Sequence, residues 1–159
     1  DLNLNKLKRK LPLAIKISPN LKSIELRDIV NLSIKYNFQA IIATNTSIER
    51  KVNSNDIKFN EPGGLSGKLI LEESNYTLEQ LKRFTNNKIE IIGAGGVYDT
   101  NSLLSKLSLG ASAIQLYTAL VYNGITKFTL GSTLTPWFVY RSNQPCSYDY
   151  QIKFSLRPL

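Results

Sequence analysis

The residue whose position most strongly suggests chemistry is Lys16, which lies between Ile15 and Ile17 in a short apolar run. Neighbouring side chains of a strand point to opposite faces of the sheet, so Lys16 faces away from the helices if both isoleucines pack against them. Burial of an unpaired ammonium is costly, and an inward lysine is expected to meet an anion or an electron-rich acceptor. A lysine at a strand end that extends its stem to water explains the strand equally well.

Two polar segments suit ligand binding. Thr44-Asn45-Thr46 ends an apolar run, and its short polar side chains could hydrogen-bond a heteroaromatic ring. Gly63-Gly64-Leu65-Ser66-Gly67 is rich in glycine, which lets the backbone approach a ligand and present successive amides to an anion. Taken alone, each segment is more typical of an ordinary turn.

A pair of strand ends indicates a phosphate site. Gly93-Ala94-Gly95-Gly96 ends one apolar run and Tyr117-Thr118 ends the next, and a helical pattern follows each. Barrel enzymes often bind phosphate between the loops after their last two strands, at the amino terminus of a short helix. The occurrence of both in consecutive units makes a phosphate site and plain connections equally good interpretations.

Predicted strands and helices alternate along the chain. Apolar residues recur every three or four positions in the predicted helices. The first helix has Ser23 as its expected N-cap and Asn37 as its expected end, and the third lies between Thr100 and Gly110. The short apolar runs that we predict to be buried strands are Leu13–Ile17, Ala40–Thr44, Ile89–Gly93 and Ala113–Tyr117.

This alternation predicts an α/β fold with a parallel sheet covered by helices. An open doubly wound sheet and a closed barrel both fit the pattern. No Gly-x-Gly-x-x-Gly turn follows the first run, which weakens a dinucleotide-binding open sheet. Four βα units are half of a (β/α)8 TIM barrel, so half of a barrel and an open sheet both stay open at this point.

The composition excludes several kinds of chemistry. The chain has no histidine, which removes His-based catalysis and His-ligated metals, and Cys146 alone cannot build a disulfide or a Cys-rich metal site. We predict no metal. The formal net charge is +8. The only basic cluster is interpreted as a solvated face, with a polyanion contact as the alternative, and no nucleic-acid partner is predicted. That cluster is Lys6, Lys8, Arg9 and Lys10.

The sequence divides into three parts. Residues 1–12 form a basic lead-in, residues 13–130 the partial barrel, and residues 131–159 a tail with three prolines, which we expect to be irregular. The connection between Thr44 and Leu71 is unusually long, and loops of that length are usually functional or disordered. The chain of 159 residues contains no methionine, so we expect it to be processed or part of a longer protein.

Five motifs, in this order between Pro12 and Gly124, resemble the dihydroorotate dehydrogenases. The last of them resembles the membrane-associated, quinone-reducing class 2 enzymes rather than the soluble class 1 enzymes. The motifs are Ile15-Lys16-Ile17-Ser18-Pro19, Thr44-Asn45-Thr46, Gly63-Gly64-Leu65-Ser66-Gly67, Ile91-Ile92-Gly93-Ala94-Gly95-Gly96-Val97 and Gln115-Leu116-Tyr117-Thr118-Ala119-Leu120.

The resemblance implies that the chain is the carboxy-terminal half of such an enzyme, the last four βα units of its barrel. The family oxidises dihydroorotate to orotate through FMN, and class 2 enzymes pass the electrons to a quinone. By resemblance, Asn45 and Thr46 would hydrogen-bond the pyrimidine substrate. The residues that would hold FMN are Lys16 and Thr44 beside the flavin, Gly67, and Gly96, Tyr117 and Thr118 around the phosphate.

The chain departs from the family pattern in three places. The family's serine base lies in the preceding half, so no catalytic residue is expected here and the fragment alone is expected to be inactive. The amino-terminal helices that would associate the parent with a membrane, the mitochondrial inner membrane in a eukaryote, also lie upstream. After Gly124 the family's closing helix has no counterpart. Another FMN barrel, such as a dihydropyrimidine dehydrogenase domain, and a non-catalytic remnant are the alternatives.

Overall fold

The computed structural model describes residues 12–49 and 62–123, and in this part of the chain four strands form one parallel sheet. The strands are paired in chain order, β1-β2-β3-β4. The predicted α/β class with a parallel sheet is therefore confirmed. The strands are β1 Ala14–Ile17, β2 Ala40–Ala43, β3 Glu90–Gly93 and β4 Ala113–Ile114.

Helices connect the strands and form a single layer. A short 3-10 turn, Gly67–Ile70, leads directly into α2. Helix α1 packs on α2, and α2 packs on α3, so these three helices cover the same face of the sheet. Such an arrangement has no point at which the strand order reverses, unlike a doubly wound sheet. The helices are α1 Ser23–Lys35, α2 Leu71–Thr85, α3 Thr100–Ser108 and α4 Thr118–Asn123.

The helix ends agree with the predicted boundaries to within one residue. Lys22, not Ser23, is the N-cap of α1, and its backbone N–H donates to the carboxylate of Glu25 at 2.7 Å. The prediction of Ser23 as N-cap was therefore wrong by one position, because the Glu25 carboxylate accepts from a free amide at the helix start. Asn37 follows α1 with φ +57, the left-handed conformation that ends helices.

The sheet has two unlike faces. One face packs on the helices, and its buried side chains include Ile17, Ile41, Ile91 and Ile114. The other face carries a row of register partners that runs from Lys16 through Ile42 and Ile92 to Ala113. Lys16 therefore lies on the face opposite to the helices, as the alternation of the first strand predicts.

Several predicted features lie outside the described residues. They are the basic cluster near the amino terminus, most of the long connection and the tail from residue 131 onward. The boundaries of the three predicted parts, 1–12, 13–130 and 131–159, therefore stay predictions. Within residues 12–49 and 62–123, no helix combines the length and the apolar character needed to cross a membrane.

Candidate functional site

A cleft of about 290 Å³ lies at the carboxyl edge of the sheet, where the chain leaves each of the four strands. In parallel α/β folds this edge is where ligands bind. All eight residues predicted to bind cofactor or substrate line this one cleft, although the ligand that each would contact stays a prediction. They are Lys16, Thr44, Asn45, Thr46, Gly67, Gly96, Tyr117 and Thr118.

Lys16 supplies a positive charge to the cleft. Its side chain is exposed, and its ammonium donates a hydrogen bond of 3.3 Å to the side-chain oxygen of Gln115. Both interpretations of Lys16, an inward lysine that meets a ligand and a strand-end lysine that reaches water, therefore stay open. The Gln115 oxygen accepts from one of the three N–H groups of the Lys16 ammonium, so the other two can donate to another group. Lys16 can therefore both reach water and contact a ligand in the cleft.

The backbone after β2 is held between its two neighbouring strands. The N–H of Thr44 donates to the carbonyl of Ala94 at 2.8 Å, and the N–H of Asn45 donates to the carbonyl of Ile17 at 2.7 Å. Thr44 is buried, whereas the side chains of Asn45 and Thr46 are exposed. This geometry presents two polar side chains to the cleft from a fixed backbone.

A short backbone bridge joins the two ends of the long connection beside the cleft. Ser47 and Leu65 form an antiparallel bridge with hydrogen bonds of 2.9 and 2.7 Å. The side chain of Asn20 donates to the buried Ser47 hydroxyl at 3.0 Å and accepts from the N–H of Ile48 at 3.1 Å. A side chain at Gly64 would overlap Thr46, so only glycine fits behind that threonine.

Two glycine loops line the cleft. Gly67 has φ +71, and a side chain there would lie 3.3 Å from the methyl carbon of Thr118. Gly95 and Gly96 have φ +80 and +79, values that L side chains rarely adopt. A Cβ at Gly96 would lie 2.6 Å from the backbone nitrogen of Leu71. The loop after β3 thus packs against α2 and leaves backbone, rather than side chains, at the cleft.

The loop after β4 completes the lining. Thr118, the first residue of α4, donates from its hydroxyl to that of Ser66 at 3.2 Å. The Tyr117 side chain is exposed. Among the described residues, the lining offers one cation, several hydroxyl and amide groups, and glycine backbone suited to an anion. An extended heteroaromatic anion matches this set of groups.

Six lining residues that the five motifs contain were not predicted as site residues. They are Ser66, Ala94, Gly95, Val97, Gln115 and Leu116. Ser66 and Gln115 bond directly to predicted residues, Thr118 and Lys16. Their position next to predicted residues in the motifs was the available signal.

Lys106, close beneath the cleft, was also missed. This lysine of α3 is fully buried and donates to the hydroxyl of Ser74 at 2.7 Å and to the side-chain oxygen of Asn75 at 3.0 Å. Burial lowers the pKa of Lys106 to about 7, because desolvation disfavours the charged form. Its spacing of three residues from Leu103 puts it on the apolar side of α3, which was the available sequence signal.

Comparison with known sequences identifies the family. The family model described as dihydroorotate dehydrogenase matches residues 2–130. The chain is 42% identical over 113 residues to a dihydroorotate dehydrogenase (quinone) of Nitrosomonas eutropha, covering 71% of this chain and 33% of the relative. It is 34% identical over 116 residues to one of Pseudoalteromonas translucida, covering 73% and 34%. The chain thus spans about a third of the length of these curated relatives.

Solved structures agree with the sequence comparison. A crystal structure of DHODH from Eimeria tenella in complex with ferulenol is similar with a TM-score of 0.69 and 30% identity, over 75% of this chain and 32% of that one. The ligand-free type from the same organism gives a TM-score of 0.67 and 32% identity, over 70% and 31%. From the family model, the relatives and these structures together, the chain belongs to the dihydroorotate dehydrogenase family and is similar to its quinone type.

Proposed function

We propose that this chain forms the FMN-binding part of a quinone-dependent dihydroorotate dehydrogenase. The enzyme would oxidise dihydroorotate to orotate, in pyrimidine biosynthesis, and pass the electrons to a quinone. The observation that carries the proposal is the meeting of all eight predicted residues in one cleft at the carboxyl edge of the sheet. Membrane association of the whole enzyme, at the mitochondrial inner membrane in a eukaryote, is part of the same proposal.

The architecture that fits this function is half of a (β/α)8 barrel. Sequential parallel strands and a single helical layer are what four consecutive units of such a barrel contain. The face that carries Lys16, Ile42 and Ile92 would then line the barrel interior. The similarity to DHODH structures supports this reading of the sheet.

The groups around the cleft fit FMN. A Cβ at Gly67 would approach Thr118, so glycine leaves that part of the cleft open to a planar ring or its tail. Gly95 and Gly96 offer backbone amides, and Thr118 offers a hydroxyl, where a phosphate needs donors. When bound, FMN supplies a ring that accepts and releases two electrons.

Each side chain would then have a distinct task. The charge of Lys16 would favour added electron density on a neighbouring ring, because opposite charges attract strongly where water is excluded. Asn45 and Thr46, both exposed on a fixed backbone, would hydrogen-bond the pyrimidine and orient it. Thr44 would contact the flavin. Tyr117 would bind the phosphate end of FMN together with Gly96 and Thr118.

Binding of FMN by the 159-residue chain tests the proposal. Flavin fluorescence should change saturably as chain is added, and Lys16→Ala should weaken the binding. Lys35→Ala is the matched control, because Lys35 is an exposed lysine at the end of α1 and does not line the cleft. No saturable change with the folded wild-type chain would contradict the proposal and favour a non-catalytic remnant.

A further inference from the structure

Lys106 is connected to the cleft although it does not line it. Its ammonium donates to the Ser74 hydroxyl at 2.7 Å, and the single proton of that hydroxyl has two carbonyl acceptors, Gly95 at 2.8 Å and Leu71 at 3.0 Å, of which Gly95 is the nearer. Ser74 is fully buried as well. Gly95 is a cleft residue, so two hydrogen bonds join a lysine of α3 to the glycine loop that ends β3.

The stem of Lys106 also supports this loop. A Cβ at Gly93 would lie 3.1 Å from the Lys106 Cδ, so the stem passes directly beside the end of β3. A Cβ at Gly95 would lie 3.1 Å from the Thr44 hydroxyl oxygen. The Lys106 stem therefore packs beside the end of β3, and the glycine loop packs in turn against Thr44, a predicted flavin contact.

Apolar packing alone does not explain this amine. A leucine would fill the same side of α3 without the cost of burying a polar group. The ammonium has uncharged partners on α2, Ser74 and Asn75, and the side-chain nitrogen of Asn75 donates in turn to Ser105 of α3 at 3.2 Å. A buried polar network in which the groups satisfy one another fixes one arrangement of its elements.

We propose that Lys106 is a positioning residue that, through Ser74, holds the loop of Gly95 and Gly96 in the conformation that presents its amides to an anionic group of the ligand. This inference rests on the proposed function only in naming that group as the FMN phosphate. Lys106 itself touches no ligand. Its removal therefore weakens recognition of the phosphate and leaves recognition of the ring unchanged.

Comparison of FMN with riboflavin isolates the phosphate. In the full chain, Lys106→Met keeps the stem and removes the ammonium, and it should raise the FMN dissociation constant about tenfold while that of riboflavin stays within about twofold. Ser74→Ala, which removes the link and keeps the lysine, should have the same selective effect. Lys82→Met is the control, because Lys82 is an exposed lysine of α2 that donates to Asn87 and does not line the cleft.

Equal weakening of FMN binding and riboflavin binding would overturn the positioning role, because a general loss of structure affects both flavins alike. Unchanged binding of both flavins would overturn it as well. If Lys106→Met does not fold, Ser74→Ala decides by the same criterion.

Amide hydrogen exchange of the ligand-free chain separates this inference from the proposed function. Faster exchange at Gly95 and Gly96 in Lys106→Met and Ser74→Ala, but not in Lys82→Met, supports the positioning role even if the wild-type chain binds no flavin. Unchanged exchange at both glycines contradicts it.

Discussion

The ammonium of Lys16 in β1 donates to the side-chain oxygen of Gln115, one residue beyond β4, across a sequence separation of 99 residues. These two strands are the outer strands of the described sheet and do not pair with each other. Their side chains meet over the cleft because both project from the face opposite to the helices. The side of the sheet that carries the candidate ligand groups is therefore bridged from one outer strand to the other.

Lys16→Ala should raise the dissociation constant for FMN about tenfold, since it removes a charged hydrogen-bonding group from the cleft. In a complete enzyme the same change should slow flavin reduction by dihydroorotate, which stopped-flow absorbance would measure. Unchanged flavin content and reduction rate would leave Lys16 as a strand-end lysine that reaches water. Lys35→Ala should alter neither quantity.

The isolated chain should bind FMN and show no dihydroorotate oxidation. The physical reason is that the described cleft contains no carboxylate, histidine or thiolate that could accept the proton lost from the substrate. A steady-state assay with FMN and an artificial electron acceptor measures this. Turnover of about 1 per second or faster, an ordinary enzymatic rate, would show that the expectation is wrong.

Gly96→Ala should lower the free energy of unfolding by about 2 kcal/mol or more, because it adds left-handed backbone strain to an overlap with the backbone of Leu71. Gly67→Ala is the control with a similar φ of +71, but its methyl group would meet only the Thr118 side chain at 3.3 Å. Urea denaturation of both variants gives the comparison. Equal destabilisation would mean that the contact with Leu71 adds nothing.

Stability should rise with pH between about 7 and about 9 because of Lys106. Its pKa in the folded chain is lowered to about 7 by burial, whereas an unfolded lysine keeps its proton to about pH 10. The unfolded state therefore binds more protons in this window, which makes the slope positive and at most about 1.4 kcal/mol per pH unit. Lys106→Met should remove this contribution and Lys82→Met should keep it, in denaturation at a fixed protein concentration. Identical slopes in all three proteins would contradict the assignment.

The isolated chain should associate in solution. Among the described residues, β1 and β4 each pair on one side only, and unpaired edges invite pairing with another copy. The apolar residues of the face opposite to the helices, such as Ile42 and Ile92, are also only partly covered. Light scattering should detect dimers or larger species. A monodisperse monomer with strong amide protection in both edge strands would refute this expectation.

Much of the site could be predicted because it depends on local rules. Strand alternation gave the orientation of Lys16, and polar or glycine residues directly after apolar runs identified the segments that meet at the carboxyl edge. The length of β4 was harder to predict. The predicted run Ala113–Tyr117 is apolar for most of its length, yet the strand ends at Ile114 after two residues, although the N–H of Gln115 still donates to the carbonyl of Gly93.

Lys106 could not be assigned in the same way. Its spacing from Leu103 places it on the apolar side of α3, but sequence patterns treat lysine as a solvent-exposed residue, and its full burial depends on the packing of α3 on α2. Its partners, Ser74 and Asn75, lie more than 30 residues away and carry no motif of their own. Long-range polar networks of this kind depend on tertiary geometry rather than on local spacing.

The hydrogen bond between Lys16 and Gln115 also bears on how the chain folds. Because the cleft draws on every strand from β1 to β4, no shorter piece of the described chain contains it, and it forms only once all four units have come together. A ligand that binds there selects the assembled state over every partly folded one. At a free concentration of about 100 times its dissociation constant it would add about 2.7 kcal/mol to stability. The bound ligand would thus link residues from Lys16 to Thr118, which are farther apart in the sequence than the two partners of any strand pair in the sheet.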